Sequence, residues 1–298
     1  MTSFPRDPRL DLYSSSSNME RVAAIRQRSA APQPPRKTYV PGLSVVILNL
    51  DRPDLLLPLC RKFAHEHAQL AAAGQGFEVI VGDTGSRHPE VLAFYENPPP
   101  YLRVERNLRY HFSRSNNTVF HAHVRYDKTL FLNNDIVPLA PDAACFLRMA
   151  EHLDQVPADG VVGHTLWFAD ERVQHAGVDF FRGDHPLAGL CYHPGSHQPV
   201  APEQWRSQWS VPAVTGACLM IRSALFAEVG GFDEDYAAEC QDVDLCLAVR
   251  RLGYDIRIIN SGKLYHLENA TRPKGEENWP DRHLLVRRWG SFVAVGGA

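Results

Sequence analysis

Three apolar runs of strand length constrain the fold of this chain more than any other feature. They occupy residues 44–49, 78–83 and 129–133. Continuous apolar runs of this length are typical of strands that are buried on both faces. Helical patterns separate the runs, and these patterns begin at Pro53, at about Glu90 and at Ser113. Strands that alternate with helices at this spacing predict an α/β fold with a mainly parallel sheet and helices on both faces.

Each run ends in a polar residue at the point where the chain leaves the sheet, namely Asn49, Asp83 and Asn133. Turn chemistry alone explains a single Asn or Asp in such a place. Three of them at corresponding places favour a shared ligand crevice, because open α/β sheets bind ligands at the carboxyl ends of their strands. No G-x-G-x-x-G follows the first run and no G-x-x-x-x-G-K-[ST] occurs. The sequence therefore does not indicate a dinucleotide-binding motif or a P-loop.

Composition limits the classes of partner. With 298 residues and 44% hydrophobic content, the chain can bury one large core or two small ones. The formal net charge of -3 disfavours a nucleic-acid partner. The six cysteines show no C-x-x-C pattern, which fits free thiols in a reducing compartment and predicts a cytoplasmic location. No run approaches the roughly 20 apolar residues of a membrane span, so any membrane association is expected to be peripheral, at the inner face.

The first 42 residues differ in composition from the rest of the chain. They are rich in serine and proline, and their basic residues outnumber the acidic ones. This composition buries little surface and predicts a mobile tail, with a docking arm for a partner or an anionic membrane as the alternative.

Two later positions carry candidate catalytic chemistry. Residues 132–135 are Leu-Asn-Asn-Asp, and Asp242 lies where a helical pattern begins. Transfer of a group from a diphosphate requires a cation on the leaving group and a base for the acceptor hydroxyl. Asp135 is a candidate ligand for Mg²⁺ or Mn²⁺, and Asp242 is a candidate base. The simpler interpretation of Asp242 is a carboxylate that complements the helix dipole, as Asp244 also would.

Eight segments in a fixed order carry a family resemblance. They are residues 46–54, 81–86, 107–117, 132–135, 173–178, 214–220, 230–234 and 241–246. With these segments the chain resembles the glycosyltransferase family 2 proteins, which have the GT-A fold. The resemblance extends from Leu43 to about Trp289, and segments 173–178 and 214–220 are typical of bacterial members of the rhamnosyltransferase-like type.

The resemblance implies an inverting enzyme that transfers a sugar from a UDP- or dTDP-sugar to a hydroxyl of a glycan or lipid-linked glycan, as in surface polysaccharide assembly. It implies one domain over residues 43–298, with a nucleotide-sugar half at 43–140 and an irregular acceptor half at 141–298. The nucleotide-binding residues that it implies are Asn49, Arg52, Asp83, Arg109, Asn117 and Asn134. It also implies Mg²⁺ or Mn²⁺ on Asp135 and His266, and Asp242 as the base of a single displacement, with Asp244 supporting the helix end or binding acceptor hydroxyls.

Two departures from the family pattern keep alternatives open. Asn133 replaces the first acid of the family's DxD motif, and Gln241 replaces the acid that precedes the base. A catalytically weak or inactive nucleotide- or glycan-binding module is therefore one alternative. A nucleotidyltransferase is the other, but it predicts a glycine-rich phosphate loop after the first strand, and none is present.

The remaining segments give weaker expectations. Residues 163–212 are rich in His, Trp, Gly and Pro, which fits either an acceptor loop or an aromatic-packed subdomain, and His175 and His185 match no common zinc spacing. A strand over residues 256–259 is expected to lead through a turn to His266. Residues 268–282 are predicted to close over the nucleotide site, and residues 283–289 to form a short helix with Arg287 and Arg288 on its surface.

Overall fold

The structure is a computed structural model that describes residues 37–139, 144–199, 207–267 and 278–297. Its first part alternates strands and helices, as the sequence predicts. The elements are β1 (Val40–Asn49), α1 (Pro53–Ala72), β2 (Gly76–Asp83), α2 (Pro89–Glu96), β3 (Leu102–Glu105), α3 (Phe112–His123) and β4 (Tyr126–Asn133). The short strand β3 is the only one of these that the sequence patterns missed. Because β1 begins at Val40, regular structure starts before the predicted boundary, and residues 1–36 of the predicted tail lie outside the described residues.

The second part contains shorter strands. Its elements are β5 (Ile136–Pro138), α4 (Cys145–Gln155), β6 (Asp159–Trp167), β7 (Val173–His175), β8 (Asp179–Phe180), β9 (Cys191–Tyr192), β10 (Gln208–Ser210), β11 (Cys218–Arg222), α5 (Ser223–Val229), α6 (Gln241–Arg251), β12 (Asp255–His266) and α7 (Trp279–Ala294). Among the helices in the described ranges, none has the length and apolar character needed to cross a bilayer.

One sheet organises the described chain, with the strand order β10-β12-β6-β11-β4-β1-β2-β3. Strand β1 pairs in parallel with both β2 and β4. The register sets Asn49 opposite Asp83 and Leu48 opposite Asn133. The carboxyl ends of these three strands therefore lie level at one edge of the sheet, where the sequence pattern predicts a ligand crevice.

The sheet becomes mixed on its other side. Strand β11 lies between β4 and β6 and runs antiparallel to both, whereas β6 and β12 are parallel. Strand β5 pairs with the end of β12, and β7 pairs with the end of β6. The predicted α/β fold is confirmed. Its strands are parallel in the group β3, β2, β1 and β4 and in the β6–β12 pair.

Two hydrophobic clusters cover the two faces of the sheet. Alternate residues of β1 divide between them, since Val46 belongs to one cluster while Val45 and Ile47 belong to the other. The first cluster includes apolar residues of α3, α5, α6 and α7, and the second includes residues of α1 and α4. Burial on both faces accounts for the continuous apolar runs in the sequence.

One buried acid makes stability depend on pH. Glu66 on α1 is 1% exposed, and its Oε2 has no hydrogen-bond partner among the described residues. Burial raises the pKa of this carboxyl from 4.5 to about 7. A carboxyl whose pKa is higher in the folded state favours folding when protonated, so this contribution is lost as the pH rises from about 4.5 through about 7.

Glu66→Gln is therefore expected to stabilise the protein at pH 8 by up to about 3 kcal/mol and to change little at pH 5, because it removes the buried charge and keeps the shape. Urea unfolding of both proteins at the two pH values measures this difference. An equal effect at pH 5 and pH 8 would show that the charge of Glu66 is not responsible.

Two expectations for the C-terminal region need correction. The strand that carries His266 has no turn before it: β12 continues to His266 with a register shift between Ile259 and Leu264, because β5 and β6 pair with its end. The last helix is longer than predicted, and Arg288 is not on its surface but pairs with Asp233 and Asp235. Residues 268–277 of the predicted closure lie outside the described residues.

Candidate active site

The polar residues at the strand ends form one hydrogen-bonded network. Asn49 is buried, its Nδ2 donates to the Tyr95 hydroxyl at 3.1 Å, and its Oδ1 accepts from Asn134 Nδ2 at 2.9 Å. The Tyr95 hydroxyl donates in turn to Asp83 Oδ1 at 3.1 Å. Burial, followed by the charge of Asp83, raises the pKa of Tyr95, so its hydroxyl stays a donor. The structure thus brings together Asn49, Asp83 and Asn134, three of the predicted nucleotide-binding residues.

Tyr95 joins this network without a signal in the sequence, since it lies inside helix α2 and looks like one more apolar residue of the pattern. The network also uses the side chain of Asp83 to hold its own loop, because the carboxylate accepts the Ser86 N–H at 3.1 Å and the Gly85 N–H at 3.2 Å. The ends of β1 and β2 are therefore held in one conformation before any ligand binds.

Arg52 places a positive charge at this edge. It is the N-cap residue immediately before helix α1 and pairs with Asp54, with Arg52 Nη2 2.7 Å from Asp54 Oδ2. The pKa of its guanidinium is raised, first by the Asp54 hydrogen bond and also by the charge of Asp135. Arg52 therefore lies within electrostatic reach of Asp135, the candidate metal ligand.

The other two predicted nucleotide-binding residues lie apart from this network. Arg109 is exposed on the loop before α3, and its carbonyl accepts from the Ser115 hydroxyl at 3.2 Å. Asn117 is buried, donates to the Phe232 carbonyl at 2.8 Å and accepts the Phe232 N–H at 3.0 Å. Its amide thus ties α3 to the loop that precedes α6.

The Asn117 contact depends on a glycine in the partner loop. Gly231 has φ +76, and a Cβ there would lie 2.5 Å from Asn117 Oδ1. Gly253 also has a positive φ, +92, but a Cβ there would meet nothing within 4 Å. Gly253→Ala is expected to cost about 1 kcal/mol of folding free energy from backbone strain alone. Gly231→Ala is expected to cost about 1–2 kcal/mol more, because it also breaks buried hydrogen bonds. Chemical denaturation of the two variants measures the difference, and equal costs would contradict it.

Asp135 and His266 meet at the end of β12. His266 pairs with Ile136 across the β5–β12 ladder, and the Leu267 N–H donates to the Asp135 carbonyl at 3.1 Å. This register sets His266 Nε2 3.3 Å from Asp135 Oδ1. Asp135 is 6% exposed, and its Oδ1 has no hydrogen-bond partner within the described part of the chain. A buried carboxylate oxygen without a donor is costly, which points to a ligand at this place.

Gln174 orients the imidazole of His266. His266 Nδ1 lies 2.6 Å from Gln174 Oε1, and Gln174 Nε2 donates to the His266 carbonyl at 3.2 Å. Since an amide oxygen only accepts, Nδ1 carries a proton, and in the neutral tautomer Nε2 has its lone pair on the side of Asp135. Metal-ligating histidines are held in this manner by a partner on the second nitrogen. Sequence reasoning assigned no role to Gln174.

The two residues fit a divalent cation. Adjacent ligands of an octahedral cation, each at about 2.1 Å, lie about 3 Å apart, which is close to the separation of Asp135 Oδ1 and His266 Nε2. Over the described ranges, no group of three or more His, Cys, Asp or Glu could hold a metal. Asp135 and His266 are therefore two candidate ligands, a number that suits Mg²⁺ or Mn²⁺, whose coordination is often completed by phosphates and water.

Asp242 lies in the first turn of α6, as predicted. Its Oδ2 accepts the Gly216 N–H at 2.7 Å, and its Oδ1 accepts the Val243 N–H at 2.8 Å. The next residue of the Gly216 segment, Ala217, accepts the Asn133 N–H on its carbonyl at 2.9 Å. A short segment, residues 215–217, therefore connects the candidate base to the end of β4. Asp135, the first candidate metal ligand, follows that strand end by two residues.

Asp244 has a supporting role. It is fully buried, and its Oδ1 accepts from Trp289 Nε1 at 2.7 Å and from the Tyr236 hydroxyl at 3.2 Å. The Trp289 bond joins α6 to α7, and the Tyr236 bond joins α6 to the loop that precedes it. Of the two roles considered for Asp244, the geometry favours support of the helix end.

Known proteins similar to this chain were found by sequence and by structure. No protein-family model matches the chain. An uncharacterized protein of Sinorhizobium fredii is 35% identical over 71% of this chain, which corresponds to 23% of the relative. The O-antigen biosynthesis protein RfbC of Myxococcus xanthus is 30% identical over 78% of this chain and 18% of the relative. The chain therefore spans less than a quarter of the length of either relative.

A shorter match and a solved structure complete the comparison. The N-acetylglucosaminyl-diphospho-decaprenol L-rhamnosyltransferase of Mycobacterium tuberculosis is 30% identical over 29% of this chain and 27% of the relative. The crystal structure of GalNAc-T7 with UDP, GalNAc and Mn²⁺ superposes with a TM-score of 0.62 at 12% identity, over 83% of this chain and 48% of that one. The chain thus has the GT-A fold.

Proposed function

We propose that this chain is an inverting glycosyltransferase of the family 2 type, which transfers a sugar from a nucleotide sugar to a hydroxyl of a glycan or lipid-linked glycan. The observation that carries the proposal is the pairing of Asp135 Oδ1, buried without a hydrogen-bond donor, with His266 Nε2, whose lone pair is oriented by Gln174. Mg²⁺ or Mn²⁺ at this pair would neutralise the charge that develops on the diphosphate as the glycosidic bond breaks.

The chain's own groups would do the rest. Arg52 adds positive charge for the diphosphate, and the network of Asn49, Asp83 and Asn134 shapes the nucleotide crevice. Asp242, held by two backbone N–H groups, would receive the proton of the acceptor hydroxyl as its oxygen attacks the anomeric carbon. One base on the face opposite the leaving group is sufficient for a single displacement with inversion.

The names of the relatives support a role in surface polysaccharide assembly. One is an O-antigen biosynthesis protein, and another is a rhamnosyltransferase whose name describes a diphospho-decaprenol acceptor. We infer a UDP- or dTDP-sugar donor and a glycan or lipid-linked acceptor, met in the cytoplasm or at the inner face of the membrane.

The test is a transfer assay with UDP- and dTDP-sugars, Mn²⁺ and short lipid-diphosphate-linked glycans as acceptors. Growth of an acceptor by one sugar in mass spectra, with the anomeric configuration inverted in NMR spectra of the product, is the expected result. Nucleotide binding without turnover of any pair would favour the binding-module alternative. Pyrophosphate release from a nucleoside triphosphate and a sugar phosphate would favour the nucleotidyltransferase.

A further inference from the structure

Strand β7 lies between the candidate metal ligand and the segment that holds the candidate base. It pairs with the end of β6, where His175 is opposite Leu166. Its Gln174 contacts His266, as described above, and the next residue, His175, contacts the segment 215–217. The sequence marked this strand as part of a motif without giving His175 a function.

His175 is held in one protonation state by its surroundings. It is 2% exposed, and burial, together with the nearby His193 and His266, lowers its pKa well below the usual value. Its Nε2 lies 3.3 Å from the Thr215 backbone nitrogen, which can only donate, so Nε2 accepts this hydrogen bond. The proton of the neutral ring therefore lies on Nδ1, which donates to His193 Nδ1 at 3.0 Å.

Thr215 is the first residue of the segment that reaches Asp242. Its hydroxyl oxygen accepts the Ala217 N–H at 3.3 Å, which closes a turn around Gly216. The Gly216 N–H then donates to Asp242 Oδ2. The path from His175 to the candidate base thus consists of two hydrogen bonds and one turn, all within described residues.

We propose that His175 is a positioning residue: as a neutral imidazole it holds the turn at residues 215–217 so that Gly216 orients Asp242, while Gln174 beside it orients His266. One strand therefore sets the geometry of both the donor-side metal ligand and the acceptor-side base. This inference rests on the proposed function, because it assigns Asp242 the role of base. His193 is the outer partner of His175 and ties the loop after β9 to the same arrangement.

The test compares His175→Gln with His175→Leu. Glutamine offers a carbonyl oxygen to the Thr215 N–H and an N–H to His193, whereas leucine offers neither. We expect His175→Leu to lower kcat on the order of tenfold to a hundredfold with the donor KM nearly unchanged, and His175→Gln to recover most of the loss. His65→Gln, which changes an exposed histidine on α1, is the control and should retain wild-type kinetics.

Equal loss in both His175 variants, or a loss in donor KM without a change in kcat, would overturn the proposal. A second measurement does not depend on activity: long-range ¹H–¹⁵N NMR spectra of the wild-type protein should show His175 as a neutral ring protonated at Nδ1. A ring protonated at Nε2, or charged at pH 6, would also overturn it. If the wild-type protein transfers no sugar while the NMR result holds, the proposed function fails and the arrangement of His175 remains.

Discussion

Asp242→Asn is expected to lower the rate constant of sugar transfer by roughly 10²–10⁴-fold, the range that a general base contributes. Donor affinity should change little, because the donor-side groups, Asp135, His266 and the network around Asn49, lie on other elements of the fold. The measurement is kcat and donor KM under saturating acceptor, together with calorimetric donor binding.

Asp242→Asn is also expected to lower the folding free energy slightly, and this effect has to be separated from the effect on the transfer rate. Both carboxylate oxygens of Asp242 accept backbone N–H groups, and an asparagine can accept only one of them. We expect a loss of about 1–2 kcal/mol in folding free energy, which leaves the protein folded at assay temperature. The matched control is Asp235→Asn, which should keep full activity. The side chain of Asp235 is 71% exposed and lies on the loop between α5 and α6. Equal loss of donor affinity and rate in Asp242→Asn would count against its role as base.

Asp135→Ala is expected to remove most of the Mn²⁺ dependence of nucleotide binding. It deletes the buried carboxylate oxygen that faces His266 Nε2. Of the two candidate protein ligands, only His266 then remains. The affinity for UDP or dTDP in the presence of Mn²⁺ should fall on the order of tenfold or more, while binding without metal stays as in the wild-type protein. Calorimetric titration at matched metal concentrations measures both values.

Asn133→Asp is the matched gain-of-function variant. Asn133 Nδ2 lies 3.4 Å from His266 Nε2, so a carboxylate at this position would supply the first acid of the DxD motif beside the proposed cation. We expect tighter Mn²⁺ binding in Asn133→Asp than in the wild-type protein. Unchanged metal affinity in both variants would place the cation elsewhere.

The strand ends could be predicted from the sequence because burial on both faces leaves a direct mark. Runs of apolar residues that end at Asn49, Asp83 and Asn133 locate the crevice, and the parallel register brings the ends level. The sequence could not distinguish a polar side chain that contacts a ligand from one that hydrogen-bonds to the protein's own backbone. Asn117 resembles a ligand-binding residue of the family, and yet its amide is used by the Phe232 backbone.

The family resemblance named Asp135 and His266 as metal ligands, but the geometry that brings them together could not be predicted from the sequence. Asp135 and His266 are far apart in sequence and meet only because β5 pairs with the last residues of β12. The sequence predicted a turn before His266, whereas the pairing with β5 requires β12 to continue as a strand up to His266. Gln174 and Gly216 contact the candidate site residues through a side-chain amide and a backbone N–H. Both lie in motif segments, 173–178 and 214–220, but the motifs assigned a role to neither residue.

Titration of UDP, dTDP and GDP into the wild-type protein, each with and without Mn²⁺, is the decisive measurement for the proposed donor site. We expect UDP or dTDP to bind, and Mn²⁺ to strengthen the binding through Asp135 and His266. Absence of binding for all three nucleotides under both conditions would contradict it and would leave a GT-A fold without a working donor site.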